Sequence, residues 1–355
     1  MSLLSIIVPV YNGSSHLSSF LASVRPLLDV EGVDLVLVND GSTDDTGGSL
    51  DSFAAQFSSV KVLHLENGGQ GRAKNLGARE AGGRYLWFVD VDDMVMVERP
   101  SDFISQFSPG NFDLLLTGFE SYDVDAECSL GTVRPPFESG PVEVNSITRF
   151  DVLGHSAWNK IIRREIFFKP NLQFLEGRIH EDLAVVPLWL LGSTRISVDK
   201  LVRYRYGVRA VSSIHGNYTR FGDQLVALTH LLRFSKGEEA RVGPSIIKEL
   251  FFYSLPKFAA GLWSGCSLLT YRDCYSDACQ FFSEIPSDRR MLMGRSLSLS
   301  QRLYVLIAFR AGWGVPIVMA VVKSFRGGVA RLLSKVLRGR KVFLSGHGFS
   351  GWKFW

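Results

Sequence analysis

The chain has 355 residues, 46% of them hydrophobic and 21% charged, enough to bury a large core and unlike a disordered or fibrous protein. A net charge of +4 hides an asymmetry: residues 289–355 hold 13 Lys or Arg and no Asp or Glu, against 26 basic and 35 acidic residues before them. The four cysteines (Cys128, Cys266, Cys274, Cys279) show no CxxC spacing, which excludes a disulfide scaffold and fits a reducing compartment.

Leu4 to Val10 is a short apolar run rich in β-branched residues, closed by Tyr11-Asn12-Gly13. It predicts a strand rather than a signal peptide, because Pro9 breaks it and no basic residue precedes it. Ser14 and Ser15 suit a helix start, and Leu17, Phe20, Leu21 and Val24 form one helical face. Val33 to Val38 is the second strand, ending in Asn39-Asp40-Gly41-Ser42. Thr43 is then expected to cap a helix with Asp44 and Asp45 in its first turn and Leu50, Phe53, Ala54 and Phe57 on its apolar face. Val60 to Leu65 is the third strand, and Gly68 to Gly71 turn into a helix around Ala73 to Ala81.

The fourth strand, Leu86 to Val89, is apolar throughout, as in a strand buried on both faces. It leads into Asp90-Val91-Asp92-Asp93. Continued strand alternation would point Asp90 and Asp92 the same way and Val91 the other. Two like charges that close repel unless a cation lies between them. An all-oxygen pair suits Mg²⁺ or Mn²⁺ shared with substrate phosphates. The blander alternative is that these acids cap a helix starting near Met94. Strands alternating with helices over 93 residues predict a parallel α/β sheet. Such sheets bind ligands at the carboxyl ends of their strands, where Asn12, Asp40 and Asp90 all lie.

Ile7-Val8-Pro9-Val10-Tyr11-Asn12, Val38-Asn39-Asp40-Gly41-Ser42-Thr43-Asp44, Gly71-Arg72-Ala73-Lys74-Asn75-Leu76-Gly77 and Asp90-Val91-Asp92-Asp93 together resemble the family 2 glycosyltransferases of GT-A fold. Ala157-Trp158-Asn159-Lys160, His180-Glu181-Asp182-Leu183 and Tyr204-Arg205-Tyr206 with Ser212-Ser213 are similar to the acceptor half of that family. The resemblance covers about residues 3–215. It implies a Rossmann-like, mostly parallel sheet flanked by helices over 1–220, with a nucleotide-binding half (1–100) and an acceptor half (101–220). Residues 221–355 match no motif of the family; their apolar spacings and charge predict a helical, basic region.

The resemblance also implies roles. Pro9, Tyr11, Asn12, Asp40, Arg72, Asn75, Asp90 and Val91 would line a nucleoside-diphosphate sugar, most often a UDP-sugar. Asp40 would accept the imide N–H of the base, Asp90 would contact the ribose or metal, and Arg72 would approach a phosphate. Asp92, with His215 as a further ligand, would hold Mn²⁺ or Mg²⁺ on the diphosphate. Asp182 is the candidate general base of an inverting transfer, with Glu181 the fallback. Trp158 and Asn159 would shape the acceptor pocket. Each residue also has a plainer explanation: a turn-stabilising Asp40, a solvated Arg72, a core Trp158, an Asp182 that only favours a helix N-terminus.

Other classes fit less well. Gly69-Gln70-Gly71 faintly resembles a dinucleotide fingerprint, but Lys74 occupies the third glycine position and the turn follows the third strand, not the first. No GxxxxGK[ST] occurs, and the basic tail carries no nucleic-acid recognition motif. An inactive nucleotide-sugar-binding module is the alternative. Residues 221–282 place Leu, Phe and Tyr at helical spacings. Leu303 to Val322 is long enough to span a membrane, but a central Arg310 costs roughly 2.5 kcal/mol or more there. With Gly312, Gly314 and Pro316, the stretch is expected to form two short helices lying on an anionic membrane surface, the alternatives being a span or a buried helical subdomain. The resemblance implies a peripheral place on the inner face of the cell membrane and a glycan or lipid-linked acceptor; no nucleic acid is expected as partner.

Overall fold

The computed structural model describes residues 2–144, 147, 154–209 and 221–235. β1 (Leu4–Val10), β2 (Val33–Asp40), β3 (Val60–Leu65) and β4 (Tyr85–Phe88) lie where the apolar runs predict them. They pair in parallel, with β1 between β2 and β4. α1 (Ser14–Leu28), α2 (Thr46–Ala54) and α3 (Gln70–Glu80) connect them. α2 begins at Thr46, three residues after the expected Thr43 cap. Thr43 instead donates its backbone N–H to Asn12 Oδ1 (2.8 Å), and Asp44 accepts the N–H groups of Thr46 (3.1 Å) and Ser14 (3.3 Å). These side chains tie the loops after β1 and β2 to each other before the helix starts. No helix begins at Met94 either: Met94–Val95 is a two-residue strand, β5.

The second half adds α4 (Pro100–Ser105), β6 (Leu114–Asp123), β7 (Cys128–Val133), β8 (Gly140–Val142), β9 (Lys160–Arg163), α5 (Arg164–Phe167), α6 (Glu181–Gly192), β10 (Ile196–Val208) and α7 (Phe221–Phe234). One sheet runs β3-β2-β1-β4-β9-β6-β10-β5, with β7 on β6 and β8 on β10. β9 is antiparallel to both β4 and β6, so the sheet turns from parallel to mixed there.

Alternation along the strands divides the core. Ile7, Val38, Leu86 and Phe88 face Ala73 of α3, the α6 side chains and Trp189, while Ile6, Val8, Leu37 and Trp87 face α1 and α4. From Leu183 to Leu190 every residue of α6 is buried, as in a helix covered on all sides. α7, past the boundary expected at residue 220, packs against α6 through Ala227, Leu228, Leu231 and Leu232. Gly71 lets α3 approach the segment leading into α6: a Cβ there would lie 2.2 Å from the Leu175 carbonyl oxygen. Among the described residues no helix is long and apolar enough to cross a membrane. The stretch Leu303 to Val322 lies outside them.

Candidate active site

The carboxyl ends of β1, β2 and β4 converge as the sequence predicts. Asp40, at the end of β2, is buried and accepts the backbone N–H groups of Gly68 and Gly69, one on each oxygen (2.8 Å each). Gly69 has φ +87°, a conformation glycine adopts freely. Tyr11 is 53% exposed and flanks this rim, whereas Pro9 lies inside β1, paired with Val38. Asn12 has φ +48° and accepts from Thr43, so its side chain orders the loop. Arg72 donates Nη1 to the Glu66 carbonyl (2.9 Å). Asn75 is engaged elsewhere: it donates to Phe174 O (2.9 Å) and Glu176 Oε1 (3.0 Å) and accepts from Phe174 N–H (3.0 Å). Its buried amide clasps α3 to the segment ahead of α6.

The acidic run differs from its expected geometry. β4 ends at Phe88, so strand alternation does not reach Asp90 and Asp92; Asp90 to Asp93 form a turn closed by Asp93 N–H to Asp90 O (3.2 Å). The three acids then part. Asp90 Oδ1 accepts Gln70 Nε2 (2.7 Å) and lies 3.5 Å from Lys74 Nζ. Asp92 is half-exposed and pairs with Arg209 Nη1 (3.0 Å), whose Nη2 bonds the Asp92 carbonyl. Asp93 is buried and accepts the Tyr204 hydroxyl (2.6 Å) and Gly207 N–H (2.8 Å). Burial first, then the charges of Asp92 and Asp90, push Asp93 well above the usual carboxylate range. Asp93 therefore fixes the turn. Val91 packs partly buried beside Gly13.

Asp90 and Asp92 fit a hard divalent cation. Among the described residues no group of three His, Cys, Asp or Glu could hold a metal. Two carboxylates completed by phosphate oxygens and water are, however, the usual Mg²⁺ donor set. Crowding by surrounding protein and the Asp90 charge raise the Asp92 carboxyl, against the pull of Arg209, and a cation between the two acids would relieve that repulsion. His215, the expected third ligand, lies outside the described residues.

The first turn of α6 meets this rim from the other half. Lys74 Nζ, buried beneath the rim, lies 3.0 Å from Glu181 Oε1 and over the Phe174 ring (5.2 Å) while also facing Asp90. Burial opposes its charge, but Asp90, Glu181 and Asp182 more than offset that and hold the ammonium protonated. Glu181 is thus a buried ion-pair partner. Its neighbour Asp182 accepts the Leu183 N–H (2.9 Å), and burial first, aided by the Asp90 charge and opposed by Lys74, pushes its carboxyl up. Lys160, fully buried on β9, donates to Ser156 O and Asn159 Oδ1 (2.8 Å each); burial lowers it to about 7, partly opposed by Asp182. Trp158 is a core residue, stacked on Tyr204 (4.7 Å) and Tyr206 (5.5 Å), its carbonyl accepting Trp87 Nε1 (2.7 Å). Asn159 is partly buried and orients Lys160.

Gln70, Lys74, Lys160 and Arg209 shape the site without having been singled out from the sequence. Gln70 and Lys74, four apart on α3, share one helix face, a spacing that signals a joint target. Lys160 stands in the sequence only as the last residue of the Ala157–Lys160 motif, with nothing to show its burial, and nothing marks Arg209, whose partner Asp92 lies 117 residues away.

A mixed sheet with carboxylates gathered at the ends of its parallel strands, faced by an acidic helix start, is the arrangement of a GT-A glycosyltransferase. The profile of the family described as glycosyl transferase family 2 matches residues 5–167. Glycosyltransferase GlyG of Streptococcus pneumoniae is 34% identical over 216 residues, 57% of this chain and 70% of GlyG. YibD of Escherichia coli, an uncharacterized glycosyltransferase, is 24% identical over 278 residues, 71% of this chain and 77% of its own. The crystal structure of Staphylococcus aureus TarS 1–349 in complex with UDP-GlcNAc superposes with a TM-score of 0.68 at 19% identity, covering 91% of each chain. The chain belongs to glycosyl transferase family 2 and is a glycosyltransferase.

Proposed function

We propose that the protein transfers a sugar from a nucleoside-diphosphate sugar to a hydroxyl of a lipid-linked or polymeric glycan, with inversion at the anomeric carbon. A UDP-sugar is the donor this reading favours, and the UDP-GlcNAc held by TarS makes that compound the first to try. The observation that carries the reading is Lys74: one ammonium within 3.5 Å of Asp90 and 3.0 Å of Glu181 brings the donor rim and the base-bearing helix together.

In this reading Asp40 accepts from the base, with Tyr11 and Arg72 flanking the nucleotide and Asp90 facing its ribose. Asp92, with Asp90 and His215, would hold Mn²⁺ or Mg²⁺, which when bound neutralises the diphosphate leaving group. Asp182 takes the proton of the acceptor hydroxyl as that oxygen attacks the anomeric carbon. The bond to the diphosphate breaks on the opposite face, and the electron pair leaves with the nucleotide. Glu181, paired with Lys74, stays a counter-ion, so its neighbour is the free base. Trp158, stacked in the core, sets the floor of the acceptor half rather than touching the acceptor, and Asn75 holds the two halves in register.

Hydrolysis of the bare donor tests the proposal, because water can replace the acceptor. The full-length chain, screened against UDP-, GDP- and dTDP-sugars with Mn²⁺, should cleave one donor class, and Asp182→Asn should not. Donor binding without cleavage of any would instead favour an inactive binding module. For residues 289–355 we propose contact with an anionic membrane at the inner face of the cell membrane. Truncation before Leu303 should release the chain from anionic liposomes and leave donor hydrolysis unchanged. Equal binding to neutral and anionic vesicles would contradict that placement.

A further inference from the structure

The segment that delivers Asp182 has an unusual backbone. Between Glu176 and α6, Gly177 has φ +67° and His180, the residue before the helix, has φ +63°. A left-handed non-glycine residue costs of order 1–3 kcal/mol and persists only where its surroundings impose it. Part of the restraint comes from elements already described: Asn75 of α3 grips Phe174 and Glu176, and Trp189 of α6 donates to Leu172 O (2.7 Å).

A further part comes from α7, which lies beyond the residues matched by the family profile. Asp223 is buried, and its two oxygens grip neighbouring residues of the segment. Oδ1 accepts Arg178 Nη1 (2.8 Å) and Oδ2 accepts the Ile179 N–H (3.2 Å). Two turns further on, His230 bonds the carbonyl of Asn171 (3.2 Å), itself at φ +65°. α7 is anchored for this work by Ala227, Leu228, Leu231 and Leu232 against α6.

We infer that Asp223 is a positioning residue for catalysis: by pinning Arg178 and Ile179 it fixes the left-handed turn at His180 and so aims Asp182 at the donor rim, which makes α7 part of the active site. The inference rests on Asp182 being the base. A charge-assisted bond to Arg178 and a bond to the backbone are complementary here. The first sets the direction of the segment, and the second sets the peptide three residues ahead of the base. A misaimed base costs rate without costing donor affinity, because the donor contacts belong to the other half.

Three full-length variants test it. Asp223→Ala removes both acceptors; Asp223→Asn keeps an amide oxygen for the Ile179 N–H; Arg178→Ala removes the ion pair from its half-exposed side. UDP-GlcNAc hydrolysis, or that of whichever UDP-sugar the screen selects, and UDP affinity by calorimetry are read beside Asp182→Asn. Asp223→Ala should lower kcat about tenfold or more, with UDP affinity within about twofold of the parent. Asp223→Asn and Arg178→Ala should lie between, and the Asp223→Ala/Arg178→Ala pair should lose no more than Asp223→Ala alone. Unchanged kcat in Asp223→Ala, with Asp182→Asn inactive, would overturn the inference and leave the base standing. Normal turnover in Asp182→Asn would overturn the base itself. Should Asp223→Ala fail to fold, the other two variants decide: kcat and UDP affinity falling in parallel would mean general loosening and overturn the inference, while a fall in kcat alone supports it.

Discussion

The two halves of the sheet build their share of the site in opposite ways. Within the parallel half, Asp40 and Asn12 are fixed by loops 28 to 31 residues away. Asp40 is held by Gly68 and Gly69, and Asn12 by Thr43, at the ends of adjacent strands. Between the parallel and the mixed half the fixing contacts are more distant in sequence: Asn75 to Phe174, Asp93 to Tyr204, Lys74 to Glu181. The first arrangement needs only correct strand order. The second needs the whole fold, and it is where burial shifts acid–base behaviour, at Asp93, Lys160 and Asp182. The loops around Asp40 and Asn12 can thus be assembled from the parallel strands alone, while Asp92, paired with Arg209, and a base with a raised carboxyl depend on global packing.

Breaking the rim should give the largest effect. Asp92 is half-exposed and its side chain pairs with Arg209 at the surface, so Asp92→Asn should keep the fold. It should abolish turnover and weaken Mn²⁺-dependent UDP binding. Calorimetry with unchanged Mn²⁺-dependent UDP affinity would remove Asp92 from the metal site. Lys74→Met strikes the join between the halves. It strands a buried Glu181 carboxylate, which should cost about 3 kcal/mol in urea unfolding and lower turnover about tenfold or more. Adding Glu181→Gln should recover most of the stability. Stability unchanged in Lys74→Met would show that the pair carries no weight.

Asn75→Ala sharpens the contrast from the nucleotide side. It leaves the Phe174 peptide and Glu176 without their buried partner, for an expected loss of about 2–3 kcal/mol and little change in UDP affinity. A large drop in UDP affinity with full stability would return Asn75 to the donor site. The smallest effect is on pH. Asp182 is raised in the folded chain, by burial foremost, so folding favours its protonated form. Its contribution to stability is present in acid and is lost as pH rises through the folded value. Asp182→Asn should therefore melt higher than the parent near neutral pH and no higher in acid. The acid limb of parent turnover should lie above the ordinary carboxylate range.

What could be read from the sequence follows the same division. The strands around Ile7, Val36, Val62 and Trp87 announce themselves as apolar runs ending in Asn, Asp or Gly, and the helices between them follow from period and turn residues. The Thr43 cap was misplaced because a threonine N–H can serve a neighbouring loop as readily as its side chain can serve a helix. The shared direction expected of Asp90 and Asp92 failed because β4 stops at Phe88, and a run of acids is free to turn. The mixed half was legible only through its resemblance. β10 alternates polar and apolar residues weakly, its partner β6 lies some 80 residues away, and Lys74 and Lys160 look like ordinary surface lysines until the fold buries them. Trp158 has the residue type of a sugar platform, and only the stack of Tyr204 and Tyr206 shows it to be core.

The central claim is that Lys74 divides the labour between two adjacent acids, leaving Glu181 a counter-ion and Asp182 the base. Turnover of the selected donor by Asp182→Asn and by Glu181→Gln, each with UDP affinity measured alongside, tests it most directly. The account predicts a loss of about 10² or more for Asp182→Asn at unchanged UDP affinity, and a smaller loss for Glu181→Gln. Normal turnover in Asp182→Asn with an inactive Glu181→Gln would contradict it.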